Sequence, residues 1–323
     1  NNNNNNNNNN DDIINKSGNG LVIINFDDSY DSQIDYAKPI LDKYGFKATF
    51  FEICGRITEK GWEEIERLQD EGMDIQAHTM AHSDLNEVSN EMLDIELNKA
   101  RDCFLDHGLN TTVFAYPYGN GWNNQTVLDI TARYYNIART NGYDALTFLN
   151  CDRWNGINYT IKANDSYNSR SSCVREEGQH LADSEISPNR AINLQQTLGS
   201  SRYALNSWSH KHIAGPYDYG NLSCIDTCME YNNSQMLDRF VEIVNSQKNF
   251  NKDGTVRAIP IIVYHAFVPY NDVSESRIPT DTNVDLFEQE MKYLRDNGFK
   301  TLTMKDLRYD EKRDTLVIRN NDQ

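Results

Sequence analysis

From residue 21 onward, segments typical of β-strands alternate with segments typical of α-helices, and this order constrains the fold more than any other feature. Leu21 to Phe26 and Ala258 to Tyr264 are apolar runs of the kind buried on both faces of a sheet. Further strands are predicted at about 48–53, 74–77, 112–115, 135–139 and 299–303, and helices at about 31–44, 58–70, 89–106, 235–245 and 284–296. The alternation predicts an α/β protein with a parallel sheet, open or closed into a barrel.

Two stretches depart from this pattern. Residues 1–20 begin with ten Asn and two Asp and are predicted to be a disordered tail, because they offer almost no apolar side chain to bury. Residues 141–233 are rich in Asn, Ser and Gly and hold four of the six cysteines. We expect a long loop insertion there, with a strand near 202–205, inside a single domain that spans 21–323.

The charge balance excludes several classes of partner. The chain has 31 Lys and Arg against 48 Asp and Glu, a formal net charge of −17. A protein that binds nucleic acid or docks on an anionic membrane relies on Lys and Arg, so neither partner is expected. No apolar run approaches the roughly 18 residues of a membrane-spanning helix.

Cysteine and glycosylation patterns predict a secreted or cell-surface protein. The six cysteines can pair completely, as is typical of exported proteins. Seven Asn-x-Ser/Thr sequons, which are potential sites of N-glycosylation, begin at Asn15, Asn110, Asn124, Asn158, Asn164, Asn221 and Asn232. An Asn-rich chain also produces sequons by chance, so occupancy of each is a separate question.

Polar clusters follow the predicted strands. Asp27-Asp28 follows the first strand, His78-Thr-Met-Ala-His82 the third, Tyr116-Pro-Tyr-Gly the fourth, and His265 the strand 258–264. In parallel α/β sheets and barrels the carboxyl ends of the strands face one crevice, where ligands bind. These clusters are therefore expected to converge, although they are far apart in sequence.

The clusters suit a catalytic metal site. His78 and His82 with the Asp28 carboxylate make three protein ligands, which leaves one coordination position open. Asp27 would then point elsewhere and could act as a general base toward the attacking water. Two plainer interpretations stay open: the Asp pair could form a turn or helix cap, and a His-x-x-x-His spacing arises by chance on helix faces.

These residues also resemble a known family. Asn25-Phe-Asp-Asp-Ser29 resembles the Thr-Phe-Asp-Asp-Gly motif of polysaccharide deacetylases, the NodB-homology group of carbohydrate esterases. His78-Thr-Met-Ala-His82 is similar to that family's His-Ser/Thr-x-x-His motif, and Phe114 to Gly119 to its third motif. Val263-Tyr-His265 resembles its late Leu-x-His motif. The motifs span residues 21–265 in the family's order, and 287–307 resembles its closing helix and strand.

The resemblance implies a distorted (β/α) barrel of about seven parallel strands that holds one divalent metal, Zn²⁺ or alternatively Co²⁺, Mn²⁺ or Ni²⁺. It implies hydrolysis of N-acetyl groups on an acetylated polysaccharide that contains GlcNAc. On that pattern Asp27 is the base and His265 the general acid. The metal ligands would be Asp28, His78 and His82, and the backbone N–H of Tyr118 would help to hold the oxyanion.

The chain departs from the family pattern in two places that matter. The third motif usually begins with an Arg that pairs with the catalytic Asp, and here that position is Ala115. Arg139, after the next strand, could supply the charge from another direction, or could be an ordinary surface or ion-paired residue. The family's Trp-bearing fourth motif has only weak candidates here, Trp154 and Trp208.

Exposed aromatic rings near the site could stack against sugar rings. Tyr118 and Trp122 are the preferred candidates among the nearby aromatic residues, which also include Tyr30, Tyr116 and Trp208. Ordinary core packing is the commoner fate of any one of these side chains.

The remaining histidines and cysteines allow a second arrangement. His210 and His212 with Cys224 and Cys228 could form an N2S2 zinc site. In an exported protein we prefer a disulfide between Cys224 and Cys228, which would leave Cys151–Cys173 and Cys54–Cys103 as the other pairs. This is one of fifteen possible connectivities for six cysteines.

The sequence therefore favours a secreted metal-dependent deacetylase of an amino-sugar polymer. An inactive carbohydrate-binding or cell-surface protein on the same barrel is the main alternative, and the Ala at position 115 favours it. An O-acetyl esterase would share the same site.

Overall fold

The computed structural model of the protein describes residues 20–141, 145–150, 201–214, 229–252, 254–313 and 315–319. The predicted Asn-rich tail, apart from Gly20, and the larger part of the predicted insertion lie outside these ranges.

The strands follow the predicted order closely. In chain order they are β1 (Leu21–Asp27), β2 (Thr49–Glu52), β3 (Asp74–Ala77), β4 (Val113–Ala115), β5 (Ile137–Arg139), β6 (Leu146–Phe148), β7 (Trp208–Ser209), β8 (Ile213–Ala214), β9 (Met229–Glu230), β10 (Ala258–Tyr264), β11 (Phe267–Val268), β12 (Thr282–Asn283), β13 (Lys300–Leu302), β14 (Leu307–Asp310) and β15 (Thr315–Ile318). β1 lies between β10 on one side and β2 on the other, and β3, β4 and β5 continue the sheet beyond β2. All of these neighbours are parallel, as βα units require.

The segment from Leu205 to Ser209 connects the two edges of this parallel sheet. The Leu205 N–H donates to the Ala138 carbonyl at 2.9 Å, and the Thr140 N–H donates to the Leu205 carbonyl at 3.0 Å. A few residues later, β7 pairs in parallel with β10. The parallel strands β1–β5, β7 and β10 thus curl into a distorted barrel, which confirms the predicted fold class.

The helices lie outside the barrel and connect its strands. They are α1 (Lys38–Tyr44), α2 (Glu59–Asp70), α3 (Asn90–Asp94), α4 (Ala100–Asp106), α5 (Gln125–Tyr134), α6 (Asn233–Ser246) and α7 (Val284–Asp296), and π-helical turns Gln33–Ala37 and Ile95–Lys99 precede α1 and α4. Thr58 caps α2 by accepting from the Gly61 N–H, and Ser89 caps α3 by accepting from the Met92 N–H. Gly45, with φ 71°, ends α1 in the left-handed conformation that glycine adopts without strain.

Four details differ from the sequence-based predictions. Helix α5 was not predicted; its amphipathic pattern includes β-branched residues, which weaken a helix signal. The strand predicted at 202–205 is a 3₁₀ turn, Ser201–Tyr203, followed by a single bridge from Leu205 to Arg139. β13 is not the final strand, because the antiparallel hairpin β14–β15 follows it. The ends of the predicted insertion join the sheet, since β6 and β7 both pair with β10.

Both faces of the barrel strands are apolar, and the alternation along each strand decides which side chains point inward. Leu21 and Ile23 of β1 belong to an inner cluster, whereas Val22, Ile24 and Phe26 pack with residues of the surrounding helices. The same alternation places the side chain of Asp27 on the inner face, at the carboxyl end of β1.

A disulfide joins Cys54, just after β2, to Cys103 in α4, which confirms one predicted pair. The other proposed pairs involve cysteines outside the described ranges. In the part of the chain that the structure covers, no helix is both long enough and apolar enough to span a membrane.

Candidate active site

Four polar side chains meet on the inner face of the barrel at the carboxyl ends of its strands. Asp27 ends β1, His78 follows β3, Arg139 ends β5 and His265 follows β10. Their exposures are 2%, 2%, 0% and 8%. Parallel pairing aligns the ends of these strands, so the convergence predicted from the sequence is present in the structure.

Asp28, His78 and His82 form a compact set of potential metal ligands. Asp28 Oδ1 lies 3.3 Å from His78 Nε2 and 2.9 Å from His82 Nε2. One ligand atom from each residue lies within 4.8 Å of the other two. One carboxylate and two imidazoles at this separation fit a divalent cation with an open position for water or substrate.

A hydrogen bond to the backbone of β4 fixes the orientation of the His78 ring. Its Nδ1 lies 2.8 Å from the carbonyl oxygen of Ala115, which can only accept a hydrogen bond, so Nδ1 carries the proton. The lone pair of Nε2 then faces Asp28 and the space between the ligands. Such a second contact is typical of metal-binding histidines.

The backbone of both ligand segments is locally strained. Asp28 and Ser29 have φ of 76° and 60°, and Thr79 and His82 have φ of 70° and 64°. Residues other than glycine adopt these values at a cost, and such residues cluster at functional sites. The strain turns Asp28 and His82 toward the same point as His78.

The charges of the ligands stabilise one another. Burial opposes ionisation of Asp28, but its contacts with the imidazoles of His78 and His82 outweigh it and hold the pKa of Asp28 well below its ordinary value. Burial likewise opposes protonation of His78, but the negative charges of Asp27 and Asp28 raise its pKa above the ordinary value. An anionic Asp28 is the form that binds a cation.

Arg139 pairs with Asp27 inside the barrel. One Nη of Arg139 contacts Asp27 Oδ1, and the guanidinium lies 4.4 Å from the centre of the Phe51 ring. With the side-chain amide of Asn25 oriented to satisfy its neighbours, its oxygen accepts from Arg139 Nε at 3.0 Å. Because Arg139 is completely buried behind Asp27, it can act on that carboxylate and not on a substrate directly.

His265 follows β10, the strand next to β1, and lies close enough for its charge to act on Asp28. Its backbone carbonyl accepts from Gln33 Nε2 at 3.1 Å, and the same amide donates to the Asp27 carbonyl at 2.6 Å. Gln33 therefore ties the ends of β1 and β10 together. Burial lowers the pKa of His265, although the charges of Asp28 and Asp27 oppose this shift.

Comparison with known proteins finds a family model that matches part of the chain. Residues 15–146 match the family model described as polysaccharide deacetylase. This part of the chain belongs to the polysaccharide deacetylase family. The match contains Asp27, Asp28, His78 and His82, whereas His265 lies beyond it.

Individual relatives are similar to different parts of the chain. It is 33% identical over 111 residues to "Putative polysaccharide deacetylase YxkH" of Bacillus subtilis (strain 168), which covers 33% of this chain and 39% of that protein. It is also 33% identical to the Streptococcus pyogenes deacetylase PplD in complex with acetate, over 38% of this chain and 57% of that one, with a TM-score of 0.36. A family 4 carbohydrate esterase from Streptomyces lividans in complex with acetate is 13% identical over 94% of this chain and 99% of that one, with a TM-score of 0.48. The chain thus matches less than two thirds of the length of the first two relatives.

The aromatic residues predicted to bind substrate lie in different environments. Tyr118 is 61% exposed, has φ of 57°, and places its ring 4.6 Å from that of His82. Trp122 is partly buried against the core, and Tyr116 and Trp208 are buried within it. Tyr30 is exposed, and Trp154 lies outside the described residues. The ring of Tyr118 therefore contacts the candidate ligand His82.

The histidines of the alternative N2S2 site have other partners. His210 Nε2 lies 2.8 Å from Glu290 Oε1, and its Nδ1 lies 3.1 Å from Thr282 Oγ1. Both ring nitrogens of His212 face backbone carbonyls, at 3.2 and 3.4 Å. Cys224 and Cys228 lie outside the described residues.

Sequence reasoning missed three residues that support the site. Gln33, Glu52 and Glu96 are all buried polar side chains next to the strand ends. Burial raises the pKa of Glu52 to about 7, against a hydrogen bond from Ser29. Glu96 accepts hydrogen bonds from the loop between the two histidines. In the sequence, each of the three resembles an ordinary solvent-facing residue of a helix or strand end.

Proposed function

We propose that this polysaccharide deacetylase is a metal-dependent hydrolase that removes N-acetyl groups from a GlcNAc-containing polymer outside the cell. The observation that carries the proposal is the meeting of Asp28, His78 and His82 at one point, with Asp27 and His265 beside them. Family membership supports deacetylation, and the site supplies a specific chemistry for it.

Asp28, His78 and His82 would hold the cation. Two nitrogen ligands and one carboxylate suit Zn²⁺, and also Co²⁺, Mn²⁺ or Ni²⁺. A cation bound there would supply Lewis acidity that polarises the acetyl carbonyl and makes water a better nucleophile. The backbone N–H of Tyr118 would add a hydrogen bond to the oxygen on which negative charge develops.

Asp27 would act as the general base. Its carboxylate lies 4.0 Å from His78 Nε2, so it borders the ligand set without belonging to it. The Arg139 guanidinium contacts the other side of this carboxylate and places a positive charge against it. Arg139 thereby supplies the positive charge that the family usually places at position 115.

His265 would act as the general acid. An amine is a poor leaving group unless it is protonated as the C–N bond breaks, and imidazole can deliver that proton near neutral pH. His265 Nδ1 is buried and has no hydrogen-bond partner among the described residues.

The substrate and location belong to the same proposal. An acidic chain with 48 Asp and Glu favours a polymer that is not strongly anionic, and the exposed ring of Tyr118 beside His82 suits stacking on a sugar. The disulfide Cys54–Cys103 supports an oxidising compartment, so we place the protein outside the cell or on its surface.

Acetate release tests the proposal. Wild-type protein loaded with Zn²⁺ should release acetate from chitin oligomers, and Asp27→Asn and His265→Ala should each lose on the order of 10²-fold or more in turnover. A substrate with a good leaving group should rescue His265→Ala far more than Asp27→Asn, because only the acid becomes dispensable. Equal rescue would contradict the assigned roles.

The alternatives give different results in the same assay. Faster release from acetylxylan than from chitin oligomers would indicate an O-acetyl esterase. No release from any acetylated glycan would indicate a carbohydrate-binding protein, which the Ala at position 115 favours. The presence of all five site residues in one geometry argues against that second outcome.

A further inference from the structure

The loop between the two candidate histidine ligands is held by a buried carboxylate from outside the site. Glu96 lies in the π-helical turn between α3 and α4 and is fully buried. Its Oε2 accepts from the backbone N–H of Met80 at 3.1 Å and from that of Ala81 at 2.9 Å. Its Oε1 accepts from Ser83 Oγ at 2.6 Å. Two of these three bonds fall between His78 and His82.

The opposite edge of the same loop is also bonded. The backbone N–H of Cys54 donates to the Thr79 carbonyl at 3.2 Å, and that of Gly55 donates to the Met80 carbonyl at 2.9 Å. The Met80 residue is therefore bonded through both its N–H and its carbonyl. Without such contacts the positive φ values of Thr79 and His82 would relax toward commoner conformations.

We propose that Glu96 is a positioning residue for the metal site. By accepting from Met80 and Ala81 it fixes the loop conformation, and the loop conformation sets the distance and angle between the His78 and His82 rings. This inference rests on the proposed function, because it assigns Glu96 to the cation site described there. None of the three hydrogen bonds of Glu96 involves a candidate ligand atom.

Two properties of Glu96 could account for such a role: its hydrogen bonds and its negative charge. The two explanations predict that different variants retain metal affinity. If the hydrogen bonds matter, Glu96→Gln should work well: its amide oxygen can accept both N–H groups while its NH₂ donates to Ser83 Oγ. If instead the negative charge attracts the cation through space, Glu96→Asp should work better than Glu96→Gln. The Asp side chain keeps the charge but is one methylene too short to reach the loop.

The experiment measures metal affinity and not only turnover. Wild type, Glu96→Gln, Glu96→Asp and Glu96→Leu are stripped with a chelator, and their affinity for Zn²⁺ is measured by competition with a chromophoric chelator. The visible spectrum of bound Co²⁺ reports the ligand geometry, and thermal unfolding of the metal-free proteins reports folding. Glu91→Leu, which removes an exposed carboxylate from the same helical segment, is the matched control.

We expect Glu96→Gln to bind Zn²⁺ nearly as tightly as wild type and to give the same Co²⁺ spectrum. Glu96→Asp and Glu96→Leu should lose on the order of 10- to 100-fold in affinity, with altered spectra. If Glu96→Leu does not fold, the relative Zn²⁺ affinities of Glu96→Gln and Glu96→Asp alone decide between the two explanations. Glu96→Asp binding as tightly as Glu96→Gln, or wild-type affinity in a folded Glu96→Leu, overturns the inference.

The same measurements separate this inference from the proposed function. If wild-type protein binds no divalent cation, the metal-dependent function fails, and the role of Glu96 fails with it. If wild type binds one cation and releases acetate while the Glu96 variants show the wrong order, only the role of Glu96 is overturned.

Discussion

Asp27 at the end of β1 and Arg139 at the end of β5 form an ion pair across the inside of the barrel, where both side chains are buried. The two residues are separated by 112 positions and lie on strands that are not neighbours in the sheet. The barrel curvature alone brings them together. The positive charge that an Arg at position 115 would usually supply in the family is therefore supplied to Asp27 by Arg139, from β5.

Removal of Arg139 should destabilise the protein strongly. Arg139→Met leaves the Asp27 carboxylate buried without its counter-ion, so we expect a loss of roughly 3–5 kcal/mol in the free energy of unfolding. The double variant Asp27→Asn/Arg139→Met should recover part of that loss, because no unpaired charge remains. Urea unfolding of the two single variants and the double variant measures the coupling. Simple additivity of the two changes would show that the pair is not coupled.

The close approach of Gly55 to the loop between His78 and His82 gives a second prediction. A Cβ at Gly55 would lie 2.5 Å from the Met80 carbonyl oxygen, so the loop would have to move. Gly55→Ala should therefore lower Zn²⁺ affinity on the order of tenfold or more, which chelator competition would measure.

Gly61→Ala is the matched control for that variant. Its Cβ would come no closer than 3.2 Å, to the Ile57 side chain, and it lies in α2, where Ala is favoured over Gly by about 1 kcal/mol. We expect unchanged metal affinity and equal or higher stability. If Gly55→Ala binds Zn²⁺ as tightly as Gly61→Ala, the backbone contact with Met80 does not constrain the ligands.

The fold and the convergence of the candidate ligands could be predicted because their signals are local. β10 and α7 have the bounds that the sequence predicted, since an uninterrupted apolar run and a capped amphipathic segment each have one favourable structure. Asp28, His78 and His82 follow strand ends, and parallel strands align their ends. The pattern of strands alone therefore predicts that these residues converge.

The supporting residues could not be predicted because their partners are distant. Glu96 looks like any acidic residue of a helix, and only the tertiary structure places its carboxylate against the N–H groups of Met80 and Ala81. The role of Arg139 was open for the same reason. Its side chain points inward or outward according to the register of β5, and that register depends on the bridge to Leu205 that closes the barrel. Helix α5 was not predicted because helix propensity is a weak guide in a segment with several β-branched residues.

The disulfide gives a third prediction. It joins Cys54, whose backbone N–H bonds to the loop between His78 and His82, to helix α4, which follows Glu96. Cys54 and Cys103 are 49 residues apart, and a cross-link of that span stabilises by up to about 4 kcal/mol through loop entropy. The double variant Cys54→Ala/Cys103→Ala should lose stability of this order in thermal or urea unfolding.

Metal affinity should also fall in that variant, but less than in Glu96→Leu, because the hydrogen bonds from Cys54 and Gly55 to the loop remain available. Reduction of the wild-type protein with a dithiol should reproduce the result. Unchanged stability after reduction would show that the bridge contributes nothing to the folded barrel.

The buried carboxyl group of Glu52 gives a prediction about pH. Burial, together with the charges of Asp27 and Asp28, outweighs the hydrogen bond from Ser29 and the charge of His78, and raises the pKa of Glu52 from 4.5 to about 7. The folded protein thus keeps a proton that the unfolded chain releases at lower pH. The stability contribution of neutral Glu52 is fully present below pH 4.5 and is lost as the pH rises through about 7.

Glu52→Gln tests this contribution in chelator-treated protein, where no cation alters the charges. The amide stays neutral at every pH, so the variant should match wild type near pH 4.5 and exceed it by roughly 3 kcal/mol in the free energy of unfolding at pH 8. Glu66→Gln, an exposed change on α2, controls for the loss of one negative charge and should leave the pH profile unchanged. A difference between Glu52→Gln and wild type that stays constant from pH 4.5 to 8 would mean that Glu52 titrates alike in the folded and unfolded protein.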